Sequence, residues 1–354
     1  MKKIYKKLYL RKAFKLWSLF CCFLAAASLC GCGKNSLPVS RTGFYFDTVI
    51  TLTLYDTAGL STARTEEIFT ECFQICETYE AMFSRTREGS DIWNINHAQG
   101  HPVQVTAETA DLLAKALSYC EATDGAVDVT VAPLSDLWDF SSESLGTKTA
   151  ENALPAPAQI ADTLSHVNYQ KVSLEGTTVT LSDPGAALDL GCIAKGYIAD
   201  RLKDYLSGQG IDSALINLGG NLLALGNRPD GSPFRLGIQK PFDMEGTPIA
   251  VLTAADVSLV SSGVYERYFT LDGIRYHHLF NTRTGMPEDN GLLSVTIVTE
   301  SSADADILST ACFLLGLEKG MAYAESLPGV EAVFVTEDFA LHPSSGLSGM
   351  LQNP

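Results

Sequence analysis

The chain reads as an α+β protein: one compact domain, following an export signal, in which a largely antiparallel sheet is packed with helices. Strand-sized apolar runs crowd residues 213–280, with only Gly, Pro and Asp breaks between them. Amphipathic helical patterns are few and flank that region, so strands outnumber the connections that a β–α alternation would supply. No internal repeat and no clear linker divides the chain beyond the leader.

Taken in order, residues 44–55 alternate, with Phe46, Ile50, Leu52 and Leu54 on one face and Asp47, Thr51 and Thr53 on the other. That period of two predicts a half-buried strand. Ile68, Cys72, Ile75, Tyr79 and Met82 recur at spacings of three and four and predict a helix over 64–83. Thr106 can cap a second helix that runs through Cys120 and stops at Asp124-Gly125. Residues 141–158, rich in Ser, Thr, Ala and Pro, read as a surface excursion. Two short strands, 170–174 and 177–181, meet at Glu175-Gly176 as a hairpin. A helix over 192–206 is followed by strands at 213–218, 222–225, 234–239, 249–253, 257–260, 265–270 and 274–280. A strand at 293–299, helices at 303–315 and 318–326 separated by Gly316, and a strand at 331–336 close the chain.

The first 15 residues hold seven Lys and Arg and no acid, and residues 16–29 are almost wholly apolar. This is the n-region and h-region of an export signal; the run is shorter than the ~20 residues that span a membrane. Leu29-Cys30-Gly31-Cys32 resembles a lipobox, which makes residues 1–31 a lipoprotein signal peptide and Cys32 the lipidated residue. Residues 32–43 are expected to be a tether and residues 44–354 the folded domain. The expected location is the outer face of the cytoplasmic membrane, or its periplasmic side if an outer membrane exists.

Loss of residues 1–31 removes seven of 25 basic residues and none of 41 acids, leaving a net charge of −23. Nucleic acid and anionic lipid surfaces are poor main partners for such a chain. About 310 residues suffice for one large domain with an ample core. Six cysteines remain from Cys32 onward, without C-x-x-C or Cys/His metal spacing, so neither a disulfide framework nor a structural zinc site is expected. Cys72 and Cys76, one helical turn apart, read as core packing.

Five polar segments interrupt the elements. Thr123-Asp124-Gly125-Ala126-Val127-Asp128-Val129-Thr130 carries two carboxylates at a helix stop and by itself suits turn chemistry. Asp189-Leu190-Gly191-Cys192-Ile193-Ala194-Lys195-Gly196 places a lysine in the first turn of a helix, a setting for an anion such as phosphate or for a structural lysine. It does not match the G-x-x-x-x-G-K-[ST] loop. Asn217-Leu218-Gly219-Gly220-Asn221 reads as a hairpin turn. In Tyr276-His277-His278-Leu279-Phe280-Asn281-Thr282-Arg283-Thr284-Gly285 the two histidines of a regular strand face opposite ways, which favours one proton-transfer histidine over a metal pair. In Ser302-Ala303-Asp304-Ala305-Asp306-Ile307-Leu308-Ser309-Thr310, Asp306 and Thr310 share a helix face, and such hard oxygens suit Mg²⁺. Asp304 suits the helix dipole.

In their order and spacing these segments resemble the FAD:protein FMN transferases, the ApbE-type family once labelled thiamine biosynthesis lipoproteins, from Phe44 to about Val335. The resemblance implies an enzyme that cleaves FAD, its substrate, at the pyrophosphate. It joins the FMN half to a threonine of an exported or membrane-associated acceptor protein, one of a membrane electron-transfer system, and releases AMP. It implies that Ala126, Val127, Asp128, Asp189 and Lys195 bind the flavin nucleotide, and that Phe46, Thr48 and the segment Phe83 to Asp91 line its site. Asp306, Thr310 and the main-chain carbonyl of Cys192 would hold Mg²⁺, and His278 would assist the attacking hydroxyl. The family usually has Asp-Pro where this chain has Asn281-Thr282, proline at Val129, and glycine, alanine or serine at Cys192. An FAD pyrophosphatase and a flavin-binding lipoprotein without turnover are the alternative readings.

Overall fold

The computed structural model describes residues 37–57, 59–145, 147–149 and 153–354. The expected signal peptide and the expected lipidation site, Cys32, lie outside them. From Pro38 to Pro354 the chain forms one compact unit.

Its centre is an eight-stranded sheet. The strands are β1 (Val39–Tyr45), β2 (Thr48–Leu54), β6 (Ala214–Leu218), β7 (Asn221–Leu225), β10 (Val257–Gly263), β13 (Leu292–Thr299), β14 (Glu331–Thr336) and β15 (Leu341–Pro343), side by side in that order. Every neighbouring pair is antiparallel. Smaller sheets are formed by β3 (Val103–Gln104), β5 (Thr178–Leu181) and β4 (Val172–Glu175), by β8 (Phe234–Gln239) with β9 (Pro248–Ala254), and by β11 (Tyr268–Leu271) with β12 (Ile274–His277). The helices are α1 (Thr62–Phe83), α2 (Asp91–Asn96), α3 (Ala107–Ala122), α4 (Ala132–Trp138), α5 (Ser142–Leu145), α6 (Pro157–Leu164), α7 (Ala194–Gly208) and α8 (Ser302–Ser326). The structure is therefore α+β with a largely antiparallel sheet.

The sheet is covered on both faces. Leu223, Val260 and Ile297 pack with the helices, while Ala224, Leu259 and Val298 pack on the other side with Phe234, Leu236 and Ile238 of β8. Two-sided burial explains why β13 is buried along almost its whole length, Ser294 and Thr296 included. Helix starts are fixed by hydroxyl caps: Ser61, Ser90, Thr106 and Ser301 each accept a backbone N–H three residues on. Of these, Thr106 carries its sequence signal most plainly. Gly316, at φ 78 and ψ 174, breaks α8 and accounts for the two helices expected there.

The structure departs from the sequence reading at several places. The single strand expected at 44–55 is a hairpin, turned at Phe46 and Asp47, both with positive φ. Residues 39–43, expected in the tether, form the first part of β1. An edge strand with one neighbour needs little apolar alternation, and β1 docks instead through Arg41 over the Phe69 ring and Tyr45 stacked on Phe73. The 141–158 excursion holds α5 and the start of α6. The strand expected at 274–280 ends at His277, where the chain bends. Helices α2 and α4 and strand β15 are too short to show a period.

Candidate active site

The start of α7 meets the start of α8. Gly196 makes this possible, since a Cβ there would lie 2.1 Å from the Ser302 carbonyl oxygen. Its N–H donates to Asp306 Oδ2 at 2.9 Å. Asp200, one turn along α7, accepts the Ser302 and Ala303 N–H groups at 2.8 and 3.0 Å and so caps α8.

Asp306 is 5 % exposed. Its other oxygen, Oδ1, has the Lys195 ammonium at 3.9 Å, beyond hydrogen-bond length. The Lys195 charge and the Gly196 N–H attract the ionised form, yet burial prevails and raises the Asp306 pKa. Asn221 is 1 % exposed; its Oδ1 accepts from the Ser302 hydroxyl, and its buried Nδ2 has no hydrogen-bond partner. An incompletely compensated carboxylate of this kind fits an added cation. Among the described residues no group of three or more His, Cys, Asp or Glu could hold a metal ion. The donors that α8 itself supplies are the Asp306 carboxylate and, one turn along, the Thr310 hydroxyl. These are hard oxygens in small number, as suits Mg²⁺ rather than zinc. Burial, with Cys120, Asp306 and Asp189 nearby, raises the Cys192 thiol pKa and keeps the sulfur protonated.

Lys195 Nζ also donates to the Gly191 carbonyl at 3.2 Å, so its charge lies over the 189–196 turn. Asp189 Oδ1 accepts the Gly191 N–H, while Oδ2 faces Arg85 Nε at 3.1 Å. Arg85 Nη1 reaches Asp136 Oδ1 at 2.6 Å, and the guanidinium thereby joins two carboxylates from separate segments. Arg85 lies in the Phe83 to Asp91 segment; Phe83 itself is buried against Tyr79 and Tyr197. The sequence reading had Arg85 only as part of the Phe83 to Asp91 segment and missed its pairing with Asp189 and Asp136, because an ion pair across 104 positions of chain has no local spacing to reveal it.

The Ala126 to Asp128 segment is carried alongside Asp189, whose N–H donates to the Val129 carbonyl at 2.8 Å. Asp128 is directed inward: Oδ1 accepts from the Thr130 N–H and hydroxyl, and Oδ2 from the Tyr169 N–H at 2.8 Å. Burial raises its pKa against these bonds. Its carboxylate holds the segment together, Val127 is 2 % exposed, and Ala126 is half-buried. Phe46 is half-buried, and its N–H donates to Glu80 Oε1 at 2.7 Å. Thr48 lies against Gly219, where a Cβ would come within 2.1 Å of Thr48 Oγ1. The β1–β2 and β6–β7 turns therefore sit side by side.

The two histidines have separate fates. His277, 4 % exposed, donates from Nε2 to the Glu288 carbonyl at 2.9 Å and accepts the Leu279 N–H on Nδ1. Burial pushes its pKa down to about 4. His278 sits on the bend and keeps partial access to solvent although protein surrounds it. Burial, followed by His277, Arg267 and Lys195, pushes its pKa down to about 3. Its Nδ1 donates to the Arg267 carbonyl at 3.3 Å, which leaves the Nε2 lone pair unused. Asn281 Oδ1 accepts the Arg283 and Thr284 N–H groups, its amide donates to Glu288, and Thr282 Oγ1 donates to the Gly125 carbonyl at 2.6 Å. Aspartate could not make the amide contact, nor proline the hydroxyl one.

The fold and this constellation define a single-domain α+β protein whose polar centre pairs a buried carboxylate and a lysine with a neutral histidine, a chemistry suited to phosphate esters. The ApbE family profile matches residues 46–334, and the chain belongs to that family. It is 40 % identical over 276 residues to a FAD:protein FMN transferase of Klebsiella pneumoniae, covering 77 % of this chain and 83 % of that one. With the FAD:protein FMN transferase of Treponema pallidum it shares 33 % identity over 92 % of each chain. The crystal structure of the ApbE protein from Thermotoga maritima superposes with a TM-score of 0.78 at 30 % identity, covering 90 % of this chain and all of the other.

Proposed function

We propose that this protein is a Mg²⁺-dependent FAD:protein FMN transferase that moves the FMN half of FAD onto a threonine hydroxyl of an exported or membrane-associated acceptor protein. The observation that carries the reading is the Lys195–Gly196–Asp306 contact, which sets an ammonium and an undercompensated buried carboxylate together in a chain of this family.

In the reaction the acceptor oxygen forms a bond to the FMN phosphorus as the bond from that phosphorus to the bridging oxygen breaks. AMP leaves with the bridging oxygen. Lys195 offsets phosphate charge in a chain that is acidic overall. His278, oriented by its Nδ1–H bond to Arg267, takes the hydroxyl proton on Nε2; substrate phosphate nearby raises its basicity from the free-protein value. Asp306, Thr310 and the Cys192 carbonyl would hold Mg²⁺, which when bound would supply neutralisation of pyrophosphate charge and so favour departure of AMP. Asp128, through Thr130 and Tyr169, and Arg85, through Asp189, keep the nucleotide-facing backbone in place.

Full-length protein incubated with FAD, Mg²⁺ and a candidate flavin-accepting domain should release AMP and make the acceptor covalently fluorescent. AMP with an unlabelled acceptor would identify a pyrophosphatase; bound FAD with neither product would identify a flavin-binding protein.

The anchor belongs to the same proposal. A lipidated Cys32 would hold the domain beside acceptors at the outer face of the membrane, because the few residues between Cys32 and β1 span no more than a few tens of ångströms. Metabolic labelling with a fatty acid should mark the protein and fail on Cys32→Ser; equal labelling of both would refute the anchor.

A further inference from the structure

Four oxygens beside the proposed cation site form a chain with one possible direction. The Ser309 hydroxyl donates to the Asp306 carbonyl at 2.8 Å; a carbonyl only accepts, so the single Ser309 proton is committed there. Ser262 Oγ lies 2.7 Å from Ser309 Oγ, and since Ser309 has no second proton, Ser262 must donate. Thr310 Oγ1 lies 3.0 Å from Ser262 Oγ, whose proton is now spent, so Thr310 must donate in turn. The Thr310 proton is thus turned toward β10, and its lone pairs are left for another partner.

From this proton count we infer that Ser262 and Ser309 are positioning residues that make the Thr310 hydroxyl an obligate acceptor and prepare it to ligate a divalent cation. The inference rests on the Mg²⁺ reading of Asp306 and Thr310 above. Without the relay, a hydroxyl beside a cation spends part of its time with its proton directed at the charge, a repulsive orientation that binding must undo. Ser309 is fully buried and Ser262 half-buried, so water does not readily replace either one. Ser262 is the penultimate residue of β10, and Ser309 projects from the side of α8 that faces it.

The test is titration of the full-length chain with Mg²⁺ alone, followed by calorimetry, together with thermal unfolding in the absence of metal to establish that each variant is folded. Ser262→Ala is expected to weaken Mg²⁺ binding on the order of tenfold, as is common when a partner of a metal ligand is removed. Ser309→Ala should weaken it less, because Ser262 can still accept from Thr310. Ser262→Thr, which keeps the hydroxyl, should restore affinity toward that of the parent. The Mg²⁺-induced rise in unfolding temperature should shrink in the same order. Asp306→Asn separates the two claims. If it abolishes binding while Ser262→Ala and Ser309→Ala bind like the parent, the relay is overturned and the metal site stands. If the parent does not bind Mg²⁺, or Asp306→Asn binds as well as the parent, the metal reading fails and the relay with it.

Discussion

The Gly196 N–H donates to Asp306 Oδ2 across 2.9 Å, joining the first turns of α7 and α8. That distance exists only because residue 196 has no side chain. In Gly196→Ala the added carbon would meet the Ser302 carbonyl oxygen at 2.1 Å and the Ala303 Cα at 2.8 Å, backbone atoms that cannot rotate away. A loss of about 1–3 kcal/mol in stability is expected from overpacking, with weaker Mg²⁺ binding. Chemical denaturation checks it: a variant as stable as the parent would show that the two helix starts can separate freely.

Asp306→Asn should part function from stability. Burial raises the Asp306 pKa above its unfolded value, so the ionised group costs stability at every pH above the folded pKa, and the cost fades as pH falls toward the unfolded value. The amide keeps an oxygen for Gly196 and removes the buried charge. The unfolding midpoint without metal at pH 7 should equal or exceed that of the parent while AMP release disappears. A variant that retains AMP release would remove Asp306 from the reaction.

His278→Gln should lower turnover by roughly 10²–10⁴-fold while FAD affinity is kept, as befits a proton acceptor rather than a binding group. With its pKa near 3 in the free protein, the rate at low FAD should show no acid limb from this residue near pH 6.5. A tenfold loss of FAD affinity in the variant would mean instead that the ring contacts the nucleotide.

Arg85→Lys tests whether the guanidinium is needed as a fork. A lysine can meet Asp189 or Asp136 but cannot span both as the planar group does. The KM for FAD should rise roughly threefold to tenfold, about 0.7–1.4 kcal/mol, with kcat changed much less. An unchanged KM would make the triad a surface ornament.

The histidines also set an acid limit. Both are neutral in the folded protein, with His277 near 4 and His278 near 3, against about 6.5 when unfolded. Below 6.5 the unfolded chain takes up these protons first, so their stability contribution is complete above about 6.5 and is lost as pH falls toward 3–4. The buried Asp128, Asp200 and Asp306 act in the opposite sense. Comparison of the urea midpoint between pH 7 and 4.5 in the parent and in His277→Gln cancels their effect. The variant should lose less stability on acidification; an equal or greater loss would contradict the neutral, buried assignment.

How much was legible in the sequence follows from the range of each interaction. The helices α1, α3, α7 and α8 and most strands were visible because their periodic apolar faces are local, and Gly316 marked the break in α8. The edge strand β1 was not, because it is held by Arg41 and Tyr45 lying on a helix rather than by an alternating face. Site segments could be picked out one at a time from clustered polar residues. Their assembly could not: Gly196 with Asp306, Arg85 with Asp189, Thr282 with Gly125 and Ser262 with Thr310 are contacts between distant parts of the chain. Asp128 shows the converse, a carboxylate conspicuous in sequence whose hydrogen bonds turn inward to brace a loop.

The central claim is that Asp306, Lys195 and His278 serve one transfer of FMN to a threonine. Intact-mass analysis and peptide mapping of a flavin-accepting domain, after incubation with FAD and Mg²⁺, test it most directly, with AMP counted in the same sample. One FMN esterified to a single threonine per AMP released, with neither product in Asp306→Asn or after chelation, is the predicted result. An acceptor left at its original mass while AMP accumulates, or labelling that persists without the metal, would contradict it.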